Sequence, residues 1–216
     1  MNDRLAHIIS WVFLPLLMPC YALLITMYIP SSEPGLYQEK TIFFLNPVLK
    51  IGVLGLFFIF SFLLPSISLI ILKKNNLISS IDVEKRTERT APILLTVFSC
   101  GILAWFLITK APTGLLPKSI ILLPIGGLIA ILISWGINYY DKISQHALGA
   151  GMLVGFLIAY YQSQAFFYLT IIVIAILISG AIMSARMYLG KHTLRQSLMG
   201  YFLGFGVLYL TIHYFS

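Results

Sequence analysis

Two histidines of this chain stand where long apolar stretches begin, with cations close to both in the sequence. His146 follows the letters DKISQ, and His192 comes directly after Lys191. A neutral imidazole can attack phosphorus, and a second imidazole can protonate the departing alkoxide. Cations and N–H donors stabilise the charge that moves onto the remaining phosphate oxygens. These residue types therefore predict phosphate-ester chemistry, with the two histidines as candidate catalytic residues.

Three polar segments carry these residues, and each of them leads into a predicted helix. They are 82–92 (DVEKRTERTAP), 141–151 (DKISQHALGAG) and 185–204 (ARMYLGKHTLRQSLMGYFLG). The free N–H groups and the dipole of a helix N-terminus both attract anions, so the three segments together predict a phosphate-binding site. The alternative for each residue alone is that cations at a membrane edge reach to headgroups and histidines cap helices. We interpret His7 and His213, outside these segments, as structural.

The elements that must position these segments are transmembrane helices. Of the 216 residues, 59% are hydrophobic and 10% are charged, whereas about 25% are charged in soluble domains. A span needs about 20 mainly apolar residues. The chain offers seven candidates: 8–29, 48–72, 92–110, 119–138, 146–162, 165–185 and 193–214. We predict an all-α fold, a transmembrane helical bundle of six to seven spans that forms one domain over residues 1–216, with the first helix retained rather than cleaved.

Seven spans place alternate connections on opposite faces of the membrane, so the three polar segments share one face. Ten of the fourteen Lys and Arg residues lie on that face, which the positive-inside rule assigns to the cytoplasm. If half of these cations bind substrate, the rule loses its force, and the side of the membrane stays open. Gly151 and Gly155, like Gly200 and Gly204, have the spacing of close helix contacts. We expect those contacts first within the chain and second between chains.

The third polar segment resembles a motif of the type 2 phosphatidic acid phosphatase superfamily. That motif, S-R-x5-H-x3-D, has the spacing of Arg186, His192 and Gln196 in this chain. Ala185 stands where the family has Ser, and Gln196 stands where it has Asp. This motif is the most specific part of the resemblance.

The other two motifs of the family are matched more loosely. P-S-G-H is similar to ISQH at 143–146, which keeps the Ser and the His. K-x6-R-P is similar to the segment that contains Arg89, where Lys85 or Arg86 would replace the family's Lys. The resemblance covers 82–204, and the letters PLLMPCY in the first span are similar to divergent members from Bacteroidetes.

The resemblance implies roles for nine residues. His192 would attack phosphorus and form a phosphohistidine, His146 would protonate the leaving oxygen, and Gln196 would hold the nucleophilic ring. The phosphate-binding residues would be Arg186, Ser144, Arg89, Lys85, Arg86 and Lys142. Because Gln196 brings no negative charge, the expected turnover is lower than with an Asp at this position.

The sequence thus predicts a phosphatase of the cell inner membrane that hydrolyses a lipid phosphate or diphosphate. Phosphatidate, phosphatidylglycerophosphate and polyprenyl diphosphate are all open as substrates. We expect no metal cofactor, because two histidines without a carboxylate pair are a poor ligand set. The net charge of +7 lies at helix ends, which favours a phosphorylated lipid over nucleic acid as partner. The alternatives are a relative that binds anionic lipid without turnover and a small transporter with a basic vestibule, and the oligomeric state is open.

Overall fold

The fold is a bundle of helices. The computed structural model describes residues 1–33, 41–81, 83, 86–112 and 114–216, with only the backbone of Arg86. All regular elements in this part of the chain are helices, and it contains no strand, as the sequence predicts. The helices are α1 (Asp3–Val12), α2 (Met18–Tyr28), α3 (Pro47–Phe57), α4 (Leu64–Lys74), α5 (Thr90–Lys110), α6 (Lys118–Ile137), α7 (Gln145–Gln162), α8 (Leu169–Tyr188) and α9 (Leu194–Phe215).

Six stretches of the described chain are long and apolar enough to cross a membrane. Two of them join helices end to end, α1 with α2 and α3 with α4, and the others are α5, α6, α8 and α9. The remaining predicted span, 146–162, corresponds to α7, which has 18 residues and is buried at every position from 147 to 157. The protein is therefore a multi-pass membrane bundle, and the predicted six to seven spans are confirmed.

The helices α7 and α9 pack with their backbones in contact, because glycines line the contact on both sides. A Cβ atom at Gly200 would lie 2.5 Å from the carbonyl oxygen of Ser144. Cβ atoms at the other three glycines would overlap carbonyl oxygens of the facing helix: Gly151, Gly155 and Gly204. The expectation that both glycine pairs serve contacts within the chain is confirmed. This contact brings the N-terminal ends of α7 and α9 together.

The other end of α7 fastens the connection between α2 and α3. The phenol oxygen of Tyr160 accepts a hydrogen bond from the N–H of Ile42 at 3.0 Å and lies 3.1 Å from the hydroxyl of Ser31. The hydroxyl of Thr41 donates to Oε1 of Gln164 at 2.6 Å. Since all of these groups except Gln164 are buried, their hydrogen bonds compensate for the loss of water.

Candidate functional site

Two helix caps form the frame of the candidate site. The Ser144 hydroxyl accepts from the N–H of Ala147 at 3.3 Å and caps α7. Thr193 caps α9 in a capping box, in which its hydroxyl accepts from the N–H of Gln196 and Oε1 of Gln196 accepts from the N–H of Thr193. The N–H of Ser144 donates to the carbonyl of Gln196 at 3.3 Å. Each helix start therefore holds the other in place.

The three polar segments of the sequence meet around these caps. Nη1 of Arg89 donates to Oδ1 of Asn138 at 2.9 Å, which ties the segment before α5 to the end of α6. Nζ of Lys142 donates to the carbonyl of Lys191 at 2.7 Å, which ties the segment before α7 to the segment before α9. The loop of that last segment turns at Gly190, whose φ of +66° favours glycine. The segments before α7 and α9 are thus in contact, and the charge of Arg89 acts on His192 from the segment before α5.

His192 lies in the turn between α8 and α9, with three cations near its ring. Burial first, and then the charges of Lys142, Arg186 and Arg89 in that order, lower the pKa of His192 to about 3. The side chain of Gln196 acts in the opposite direction. Since an unperturbed histidine has a pKa of about 6.5, His192 is neutral near pH 7. Its Nδ1 is buried and has no hydrogen-bond partner among the described residues.

Arg186 is the most deeply buried cation of this group. It lies in the last turn of α8 and is 7% exposed. Its carbonyl accepts from the N–H of Lys191 at 3.0 Å, so the same residue also shapes the turn that holds His192. A cation buried to this degree favours a bound anion, because few water molecules screen its charge.

His146 lies on the first turn of α7 and contacts α1. Its Nε2 is 3.2 Å from the carbonyl oxygen of Ser10. A carbonyl only accepts, so this geometry requires the proton on Nε2. The charges of Lys142, Arg186 and Arg89 act on His192, whereas the hydrogen bond described for His146 is made to α1. The role of His146 as the acid remains a prediction.

The start of α9 bears on the role of Gln196. A helix that began at His192 would place Gln196 one turn later on the same face. The helix begins at Leu194 instead, because the hydroxyl of Thr193 provides the cap. His192 is therefore outside the helix, and Gln196 is its third residue. Gln196 still interacts with the His192 ring, but its carbonyl also completes the capping box.

The predicted phosphate-binding residues fall into three groups. Lys142, Arg186 and Arg89 act on His192 together. Ser144 is fully buried, and its hydroxyl serves as the cap of α7. The remaining two are not assigned contacts: Lys85 lies outside the described residues, and Arg86 opens the short turn Arg86–Glu88.

Asp141 is a residue of the site that sequence reasoning missed. Its carboxylate forms an ion pair with Arg195 and accepts from Nε2 of Gln196 at 3.3 Å and from the N–H of Lys142 at 2.8 Å. The signal was present, since Asp141 is the only acid of its segment and comes five residues before His146. Its partners are distant in sequence, so spacing alone did not reveal them.

Comparisons of this chain with models of protein families, with curated proteins and with solved structures find no match.

Proposed function

We propose that this protein is a membrane phosphatase that hydrolyses the phosphate ester of a lipid through His192. One observation carries the proposal: a half-buried imidazole lies among Lys142, Arg186 and Arg89 in a turn between two spans, and burial and these charges lower its pKa to about 3. Neutral imidazole is the nucleophilic form, and three cations are the complement of a phosphate group. The resemblance of the segment 185–204 to the third phosphatase motif supports the same chemistry.

The mechanism we propose begins with a neutral ring. Burial and the charges of Lys142, Arg186 and Arg89 favour the neutral imidazole, which is the form that attacks phosphorus. A ring nitrogen of His192 then forms a bond to phosphorus as the bond from phosphorus to the lipid oxygen breaks. The departing alkoxide takes a proton from an acid, for which we propose His146. Water later attacks phosphorus and gives a proton to His146, and the nitrogen–phosphorus bond breaks as inorganic phosphate is released.

The substrate class follows from the position of the site. His192 connects α8 and α9, both of which are long and apolar enough to span, so its phosphate group belongs at the depth of lipid headgroups. We propose the cell inner membrane as the location and phosphatidate, phosphatidylglycerophosphate or polyprenyl diphosphate as substrates. The fixed cations take the part that Mg²⁺ plays in other phosphoryl transfer, so no metal is required.

The test is phosphate release by the purified protein from vesicles that contain each of the three lipids, with and without EDTA. We expect release from at least one lipid, unchanged by EDTA and abolished in His192→Ala. The matched control is His7→Ala, because His7 is exposed on α1 and should leave the rate unchanged. A radiolabelled substrate should also label the protein on a histidine, with a bond that is labile in acid and stable in base.

Three results would overturn the proposal. The first is an absence of phosphate release from every lipid, and the second is full activity in His192→Ala. The third is activity that EDTA removes and a divalent ion restores. Binding of anionic vesicles without any release, lost when Arg186 is replaced by Met, would instead identify a lipid-binding protein.

A further inference from the structure

A carboxylate and an amide stand in series beside His192. Oδ1 of Asp141 accepts from Nε2 of Gln196, and the Gln196 side chain interacts with the His192 ring. Asp141 is itself held by the N–H of Lys142 and by Arg195. The described side-chain contact that leads from Asp141 to the ring runs through Gln196.

The orientation of the Gln196 amide is fixed from both of its ends. Its oxygen faces a donor, the N–H of Thr193 at 3.2 Å, and its nitrogen faces an acceptor, the carboxylate of Asp141 at 3.3 Å. Turning the amide over would set two donors against each other at Thr193 and two acceptors against each other at Asp141. Asp141 therefore holds the oxygen of Gln196 on the side of Thr193, the residue next to His192.

The Gln196 side chain acts on the His192 ring and raises its pKa. Nδ1 of His192 is buried and has no hydrogen-bond partner among the described residues. A proton on Nδ1 needs an acceptor, and an amide oxygen supplies one, whereas an amide NH₂ would require the proton on Nε2. The direction of the amide thus selects the tautomer of the ring.

We infer that Asp141 is a positioning residue that sets the tautomer of His192 through Gln196, so that Nδ1 carries the proton and Nε2 is the nucleophile. A carboxylate in direct contact with the ring would orient it; here Asp141, from a different segment of the chain, orients it through Gln196. The part about the nucleophile rests on the proposed function, whereas the part about the tautomer does not.

Four variants separate orientation from stability. Asp141→Ala removes the acceptor for Gln196 together with the ion pair, and Arg195→Ala removes the ion pair alone. Asp141→Asn keeps an oxygen that can accept from Gln196. Asp141→Ser retains an acceptor for the N–H of Lys142 and so keeps the turn, but its hydroxyl is too short to reach Gln196. Should the Ala variant not fold, the Ser variant asks the same question.

The primary measurement is the ¹⁵N chemical shifts of the two His192 ring nitrogens in the full-length protein in detergent, at pH 7 and without substrate. The wild type should show a protonated Nδ1 and an unprotonated Nε2, and Arg195→Ala and Asp141→Asn should look the same. Asp141→Ala and Asp141→Ser should show a mixture of tautomers or the opposite one. Unchanged ring signals in both of these variants would overturn the inference, as would a wild type with its proton on Nε2.

The second measurement is the rate of lipid phosphate hydrolysis in the same variants. We expect kcat to fall about 10- to 100-fold in Asp141→Ala with KM little changed, because a misdirected ring nitrogen impairs attack rather than binding. Arg195→Ala should keep its kcat. An equal loss of kcat in Arg195→Ala and Asp141→Ala would overturn the inference. A wild type that shows the expected tautomer but releases no phosphate would refute the proposed function and leave the tautomer assignment standing.

Discussion

The contact between α7 and α9 leads to a sharp prediction about Gly204. A Cβ atom added there would overlap the carbonyl oxygen of Leu148 and would lie 3.0 Å from both the carbonyl carbon of Leu148 and the N atom of Met152. These are backbone atoms of α7, so no side chain can move aside. Gly206 is two residues further along the same helix, and a Cβ atom there would have no neighbour within 4 Å.

The expected loss of stability follows from the distances. Ordinary contact begins at 3.4 Å, so the helices must separate by at least 0.4 Å to clear the two atoms at 3.0 Å, and by more than about 1 Å to clear the carbonyl oxygen. A gap of roughly 0.5–1 Å removes a quarter to a half of the attraction between facing atoms. Overpacking of this kind costs about 1–3 kcal/mol, and the rigid backbone places Gly204→Ala near 3. The gain of roughly 1 kcal/mol in helix propensity is common to Gly206→Ala and cancels in the comparison.

The assay is unfolding of the purified protein in mixed detergent micelles as the fraction of sodium dodecyl sulfate rises, followed by tryptophan fluorescence. Gly204→Ala should unfold at a lower fraction than the wild type, and Gly206→Ala at the same or a higher one. Equal stability of the two variants would show that α7 and α9 do not touch through their backbones at this point.

Two further predictions concern single groups. The pKa of His192 lies near 3 in the folded protein and near 6.5 in the unfolded chain. Between these pH values the unfolded chain binds one more proton at this residue, so the free energy of unfolding should fall as the pH falls through this window. The variant His192→Gln should flatten this pH dependence. A slope of the same size in His192→Gln would refute the assignment. The variant Tyr160→Phe leaves the buried N–H of Ile42 without its acceptor, which should lower the free energy of unfolding by about 1–3 kcal/mol. Tyr214→Phe, at an exposed residue of α9, is the control and should have no effect. Equal free energies of unfolding in the two variants would contradict the role of the Tyr160 phenol.

The sequence was a good guide to the spans and a partial guide to the site. Polar residues mark the ends of apolar stretches, so the predicted boundaries of α5, α6 and α7 agree with the structure to within two residues. The alternation of faces was enough to predict that the three polar segments share one side. Both conclusions need only the order of polar and apolar residues along the chain.

The partners within the site could not be read in the same way. α7 is apolar around most of its circumference, so periodicity could not predict that His146 would face Ser10 of α1. The contact of Asp141 with Gln196 depends on how closely α7 and α9 approach, and that distance is set by glycines one or more turns away. The lowered pKa of His192 depends on burial and on three cations from three different segments, which no local pattern encodes.

The packing of α9 against α7 has a consequence for how the protein assembles during its synthesis. Ribosomes complete α7 before α9, so for a time its glycine-lined face has no backbone to pack against. A nascent chain that pauses or stops before residue 194 leaves that face open to lipid or to another copy of α7, since glycines so spaced favour helix pairing. Completion of α9 is thus the step that closes this contact within the chain, and mutations that slow its insertion should appear as misassembled protein.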